Sequence, residues 1–489
     1  MPDAVVETQP ETQVAEPDQG CPVEMYDVQP CGRPIYPAPA GVDEKPVCLM
    51  HSHDPNKDDA AFQAEFERIL REAGDGLADF SQFVFPAARY EGRTFKAKCM
   101  FFGATFAGLA NFLGATFLRD ASFAGAKFLD VAVFGMAKFE RMAHFSHAIF
   151  SGAADIRFGT FEKDVDFVGT EFMDTAEFDE RSFKKTVSFE EASFHGAVNF
   201  HKTVFRKDKE LYAGPVFMNA RFQMPDRVLF YKTYLGQALF HNCGVSKFVF
   251  RDVDWRLRKN GKSKVFEEDV AFYSRVTKPL EPEKGVADER NYRLIGELYH
   301  ELKKNYDDRH DYWTAGDFHW GEMEMKRRHS PRRNKVLRWS HRHLGLVAWY
   351  NYASDYGESY VKPLAWILIV LLLFALAYPA CGLRRAAAGS RIESKGAATA
   401  DLWMGGTDEI TYANFFQFAS ASSAGAWSAG ANFVGQSLWT SVGAAALQWG
   451  FAEYMPATMA GRVVSLFEFL LTSTLVALVL LAVRRQFRR

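Results

Sequence analysis

Residues 101–128 read FFGATFAGLANFLGATFLRDASFAGAKF, with phenylalanine at 101, 106, 112, 117, 123 and 128 in steps that alternate five and six residues. The spacing persists along the chain. One ladder, eleven residues per step, runs through Phe106, Phe117, Phe128, Phe139, Phe150, Phe161, Phe172, Phe183, Phe194 and Phe205. A second runs through Phe112, Phe123, Phe134, Phe145, Phe167, Phe178, Phe189 and Phe200, with Ile156 in its one gap. A single short unit repeated this often dictates a repeat architecture before any local propensity is weighed.

An eleven-residue period also describes a right-handed helical coiled coil. On a helix the two ladders would fall on faces roughly 140° apart. The intervening glycine, threonine and aromatic residues are too dense for a long helix, as in Phe112-Leu-Gly-Ala-Thr-Phe117. Short strands fit instead, and strand alternation supplies a check. A residue two before an inward phenylalanine also points inward, where the crowded axis requires it to be small. Ala104, Ala110, Ala115, Ala121, Ala126, Ala132, Ala137, Ala143 and Ala148 occupy that place. The five-residue step is one face, the six-residue step a face with an extra corner residue, and four faces make a coil of about 22 residues stacked at about 4.8 Å.

With these residues, the chain resembles the pentapeptide-repeat family, whose units read small residue, any residue, then a central Leu or Phe. The resemblance covers about Tyr90 to Trp255. It implies a mainly β fold, a right-handed quadrilateral β-helix. The alternating extra residue departs from the strict five-residue register. Later units are looser (Phe217, Phe222, Leu235, Phe240), and Val165, Thr170 or Arg181 stands where the inner alanine belongs. Arg181 marks a local irregularity or an exposed end.

A formal net charge of −2 gives no bias toward nucleic acid. Some members of the family imitate DNA and bind topoisomerases through an acidic surface. Here Arg157, Lys184, Lys185 and Lys202 interleave with Asp164, Asp166, Glu190 and Glu191, which argues against that role. The chain has no Ser-His-Asp arrangement, phosphate loop or paired carboxylates in a recognisable frame, and reads as non-enzymatic.

Six cysteines are too few for a disulfide framework in a chain of this size. Cys99 and Cys243 sit two before Phe101 and Val245, as small inward residues, and Cys381 ends an apolar run. Cys21, Cys31 and Cys48 cluster ahead of the repeats, and Cys48-Leu-Met-His51 adds a fourth ligand at metal-site spacing. Thiolates with imidazole suit structural zinc, and the Pro- and Gly-rich segment has no core of its own to hold it closed. His53 is the competing ligand, and three free thiols are the alternative.

The remaining organisation follows from composition and periodicity. Residues 1–20 read as a disordered tail, 21–56 as the zinc-knuckle-like segment, and 57–74 as a helix capped by Asp58 or Asp59 that plugs the first coil. The β-helix spans 84–256. A helical hairpin occupies 264–330, with one stripe of Tyr292, Ile295, Leu298, Tyr299, Leu302 and Tyr306. Its Asp317, His319 and Glu322 read as polar residues on an exposed face. Residues 331–360 form a basic, aromatic juxtamembrane segment.

Two membrane spans follow, Val361 to Leu383 and Val463 to Val483. Basic residues before the first and after the second place both termini in the cytoplasm, for a two-span protein of the plasma (inner) membrane, although Arg384, Arg385, Arg391 and Lys395 dissent. The inter-span loop is too apolar for water, with Phe415, Phe416, Phe418, Trp427, Phe433, Trp439 and Trp449, and re-enters the membrane or packs on protein there. Span, re-entrant helix, span resembles the pore module of two-transmembrane potassium channels over about Tyr356 to Arg489, which implies four copies around a pore. The filter does not match: Thr440-Ser441-Val442-Gly443 and the segment from Trp449 to Tyr454 both differ from Thr-Val-Gly-Tyr-Gly, so potassium selectivity does not carry over. Glu468 lies within the second span, where an acid faces a pore, a partner subunit or nearby water. Thr440, Ser441 and Glu468 are the candidate pore or subunit contacts. The expectation is a cytoplasmic scaffold or sensor coupled to an ion-channel-like homo-oligomer, with an unidentified cytoplasmic protein partner and no nucleic acid; the alternative is a membrane-anchored scaffold without conduction.

Overall fold

The computed structural model describes residues 20–205, 214–269, 291–329, 334–385, 409–421, 426–446 and 454–487. The N-terminal tail, Arg391, Lys395 and the stretch from Trp449 to Glu453 lie outside them. The chain forms two compact units, Met1–Arg309 and His310–Arg489.

In the first unit the phenylalanine clock becomes a parallel β-solenoid of about 8 turns. Its strands are mostly two residues long, and four parallel sheets of seven, seven, eight and five strands form the walls. Through the regular coils each strand pairs with the one 22 residues on, as in Ala110↔Ala132↔Ala154↔Ala176 and Phe106↔Phe128↔Phe150↔Phe172, whereas the last coils pair at wider or narrower steps, as in Val187↔Pro215 and Val198↔Val228. Register is set by the repeat length, because a slip of one residue would turn every phenylalanine outward.

Each ladder splits into two columns of rings. Phe106 and Phe128 stack at 4.7 Å with planes 4° apart, Phe117 and Phe139 at 4.7 Å and 5°, and Phe172 and Phe194 at 4.8 Å and 2°. The alanines two residues earlier are buried as well. The column through Phe134 and Phe178 lacks a ring at Ile156.

The corners explain the five/six alternation. In the five-residue steps the residue two after phenylalanine has positive φ (Gly103 63°, Gly114 66°, Gly125 66°, Met136 57°, His147 55°). The N–H of the next alanine returns to the phenylalanine carbonyl, as from Ala104 to Phe101 at 3.1 Å and from Ala115 to Phe112 at 3.0 Å. These are tight turns with a left-handed third residue, the place glycine favours. The six-residue steps turn through open bends, which need the additional residue.

Helix α1 (Asp59–Ala73) covers the first coil. Asp58 caps it by accepting from the backbone N–H groups of Ala60 and Ala61, and Gly74 ends it at φ 53°. Phe66 stacks on Phe80 at 4.5 Å and on Tyr90 at 4.7 Å, which carries the ring column into the helix. At the other end α2 (Tyr292–Asp308) lies across the last coil. Asn305 Nδ2 donates to the carbonyls of Val245 (3.0 Å) and Phe248 (2.7 Å), and the Trp255 indole donates to Tyr306 Oη at 2.9 Å. The solenoid is therefore closed at both ends.

In the second unit α3 (Tyr312–Arg328) is followed by α4 (Lys335–Leu344) and α5 (Leu346–Ser354), which meet at Gly345. Glu322 does not lie on an exposed face: it is 5% exposed, and its carboxylate accepts from Lys326 Nζ at 2.7 Å. Helix α6 (Val361–Cys381) leads to a three-stranded antiparallel sheet of 383–385, 409–410 and 454–456. Between these strands come α7 (Tyr412–Ala421) and α8 (Ala426–Ala445), and α9 (Met459–Phe487) closes the chain. Helices α6 and α9 are long and apolar enough to cross a membrane. They run antiparallel: Thr458 Oγ1 donates to the Cys381 carbonyl at 3.0 Å, while Arg485 Nη1 donates to the Tyr356 carbonyl at 3.0 Å.

Candidate metal centre and buried polar cluster

The leader is held by short backbone pairings. Cys21 and Arg33 pair through a 2.8 Å N–H to carbonyl bond, Cys31 N–H reaches Val23 at 2.8 Å, and Ile35 bridges Cys48. A tight turn after Cys48, whose carbonyl accepts from His51 N–H and Ser52 N–H at 3.0 Å each, swings the imidazole back toward the thiols.

One ligand atom from each of Cys21, Cys31, Cys48 and His51 lies within 4.8 Å of all the others. His51 Nδ1 is 3.4 Å from Cys21 Sγ and 3.2 Å from Cys48 Sγ, and the Cys31 and Cys48 sulfurs are 3.8 Å apart. Tetrahedral zinc with its usual bond lengths separates two sulfurs by about 3.8 Å and sulfur from nitrogen by about 3.5 Å. The donors are spaced for a metal, and the sulfurs stand well beyond the roughly 2.05 Å of a disulfide. This Cys₃His cluster could hold a metal ion.

The second layer orients the ligands. His51 Nε2 lies 3.2 Å from the Ser81 carbonyl oxygen. A carbonyl only accepts, so Nε2 carries the proton and Nδ1 turns its lone pair to the sulfurs. Arg33 Nη1 donates to Cys31 Sγ at 3.1 Å, and its Nε to Glu65 at 2.8 Å. The Cys31 thiol is held well below its ordinary range, first by the hydrogen bond from Cys48 and then by His51 and Arg33. Cys48 is pushed up, by Cys31 and by burial. Buried Lys57 donates to the carbonyls of Leu49, Ser52 and Val84 at 3.1, 2.7 and 2.5 Å, and desolvation lowers it to about 8. His53 stands apart, with Nδ1 3.3 Å from Asp43.

A second polar cluster joins three helices of the second unit. Glu468 on α9 is fully buried. Tyr378 Oη on α6 lies 2.5 Å from its Oε2, and Ser441 Oγ on α8 is hydrogen-bonded to its Oε1. Ser441 Oγ also lies 2.9 Å from the Leu371 carbonyl. Thr440 points elsewhere and donates to the Gln436 carbonyl at 2.8 Å. Thr440 through Gly443 are helical. Tyr378 was not singled out in the sequence; the polar residue near the end of an apolar span was its signal.

Arg181 is fully buried inside the solenoid, not at an exposed end. Its Nη1 donates to the Phe134 carbonyl at 3.2 Å and its guanidinium lies 4.3 Å from the Phe161 ring centre, while Nε and Nη2 have no hydrogen-bond partner. Gly159 makes the room, since a Cβ there would fall 2.4 Å from Nη1. Desolvation lowers Arg181 to about 9.

Residues 101–149 match a family model described as pentapeptide repeats (9 copies). No curated protein matches the chain. Among solved structures it is similar to two trypsin-treated forms of QnrB1, described as a plasmid-mediated fluoroquinolone resistance protein. One is 14% identical over 35% of this chain and 87% of that chain, with a TM-score of 0.18. The other is 15% identical over 37% and 89%, with a TM-score of 0.11. Within the solenoid, the coils of residues 101–149 are the part matched directly as pentapeptide repeats.

Proposed function

We propose that this chain is a membrane-anchored pentapeptide-repeat scaffold: α6 and α9 cross a bilayer, and the solenoid offers a rigid docking surface to a cytoplasmic protein. Exposure of the two apolar helices carries the membrane reading. Only 22% of the apolar window of each is buried. Leu368, Leu372 and Leu376 on α6 and Leu466, Phe467 and Leu480 on α9 are open. Such surface is unfavourable in water, at roughly 25 cal/mol per Å², and suited to hydrocarbon. Arg484 and Arg485 end α9, and basic residues precede α6, so the positive-inside rule puts both termini in the cytoplasm. Exposed Trp339, Leu346 and Trp349 suit the interface beside them.

Zinc is the metal that three thiolates and one imidazole suit best. Four protein ligands leave no open position, so its role is structural: it closes a segment too small for a core of its own and fixes it to the first coil.

An ion-conducting homo-oligomer, a tetramer by resemblance, is the second reading. It draws on α8, whose Phe433 packs in one core with Leu383, Ile410 and Tyr454 of the three-stranded sheet and whose Ala445 carbonyl lies 3.4 Å from Thr472 Oγ1, midway along α9. The anchor reading draws on Glu468 and Ser441, whose polar atoms are bonded within one chain. Retention in the membrane pellet after alkaline extraction tests the first proposal, and release into the supernatant overturns it. Native mass in detergent separates the two readings, because two spans from one chain cannot enclose a pore: a strict monomer removes conduction, and a tetramer with single-channel currents removes the plain anchor.

A further inference from the structure

The protons available to Glu468 and its neighbours can be counted. Serine carries one hydroxyl proton and can donate once, while a peptide carbonyl and an ionised carboxylate only accept. Ser441 Oγ faces two such oxygens, the Leu371 carbonyl at 2.9 Å and Glu468 Oε1. With Glu468 ionised, one of these contacts sets two oxygens against each other without a proton, in a buried site where an unmet acceptor is costly. A neutral Glu468 removes the deficit. Its Oε1–H donates to Ser441, Ser441 donates to Leu371, and Tyr378 Oη–H donates to Oε2. The chain of donors then crosses α9, α8 and α6 with each contact served once.

Among the described residues, no cation lies against the carboxylate. Tyr378 is the titratable group facing it from α6, whose other ionisable residues are Lys362 and Cys381 at its ends. The sequence of α8 carries no charged residue, and on α9 the nearest charge is Arg462, six residues away. Tyr454, from the strand before α9, is buried in the adjoining core with Tyr378.

Resting on the membrane reading above, we infer that Glu468 is a proton-binding site. The bound proton locks α6, α8 and α9 together; when it leaves for water or a buffer base, Ser441 can no longer satisfy both acceptors and the clasp between the helices opens.

The test uses full-length protein in phosphatidylcholine vesicles. Flotation with the vesicles after an alkaline wash checks membrane integration before any spectrum is taken, so failure of that reading is seen separately. Infrared spectra at neutral pH are then compared among wild type, Glu468→Gln and Ser441→Ala. The expected result is a protonated-carboxyl C=O band that Glu468→Gln abolishes and Ser441→Ala, by removing the acceptor of its proton, moves to higher frequency. Loss of only carboxylate bands in Glu468→Gln overturns the inference. Should that variant fail to reach the vesicles, Ser441→Ala decides alone: a shifted protonated band supports the site, and an unchanged spectrum overturns it.

Discussion

His51 and Ser81 are joined by a 3.2 Å hydrogen bond from the imidazole Nε2–H to the backbone carbonyl, across 30 residues of sequence. This bond ties the cysteine cluster to the first coil, and Val84 N–H reinforces it by reaching the Met50 carbonyl at 2.8 Å. Order in the leader and order at the start of the solenoid are therefore linked.

Purified protein should contain about one zinc per chain, and Cys48→Ser should lose most of it, since second- and inner-layer changes cost affinity tenfold or more. Chelation should raise hydrogen exchange from Cys21 through Phe85 and leave the coil around Phe128 protected. Uniform protection before and after metal removal, read by exchange mass spectrometry, would count against a structural metal.

Phe128 is fully buried and Leu129 is 52% exposed. Phe128→Ala should cost about 3–5 kcal/mol through lost burial and the cavity left in the ring column. Leu129→Ala should stay within about 0.5 kcal/mol. Urea midpoints of the full chain in detergent give the comparison, and equal effects would mean that the ladder does not carry the stability of the solenoid.

Arg181 places a guanidinium in an aromatic interior with the nitrogens Nε and Nη2 unmet. Arg181→Met keeps much of the volume and removes the desolvated charge, and should stabilise the solenoid by about 1–4 kcal/mol, the range found when buried ionic groups are replaced by apolar ones. Arg181→Ala should gain less, because a cavity offsets the relief. A lower urea midpoint for Arg181→Met would show that its bond to Phe134 and its contact with Phe161 outweigh burial.

Burial pushes the carboxyl of Glu267 up from 4.5 to about 7, while its Oε1 accepts from the Phe240 N–H at 2.6 Å. Between these two values the unfolded chain has released the proton and the folded chain still holds it. Stability should therefore fall as pH rises across that window and level off above about 7, by a total on the order of 3 kcal/mol. Glu267→Gln should flatten the profile, and an unchanged slope in the variant would assign the pH dependence elsewhere.

Much of this was legible in the residues because it is periodic. The ladders and the alanines two before them report side-chain direction, so they specify parallel coils, an aromatic axis and a 22-residue register without knowledge of distant contacts. Cys48 and His51 were legible for a similar reason, since a turn brings residues three apart together. The choice of His51 over His53 was not. It depends on Ser81 meeting one imidazole and Asp43 the other. The second cap was also hidden: the apolar stripe of α2 indicates a buried face, and only the last coil, through Asn305 and Tyr306, shows what buries it.

The sequence by itself determined the solenoid, the cysteine cluster and two apolar helices, because repetition, local spacing and composition act over short stretches of chain. Tertiary structure decided that Arg181 is enclosed, since Gly159 and Phe161 from the preceding coil surround it. It likewise decided that Glu468 meets Tyr378 and Ser441, residues 90 and 27 positions away in the chain. A buried polar group is governed by the partners that close around it, and those come from helices and coils that no local pattern connects.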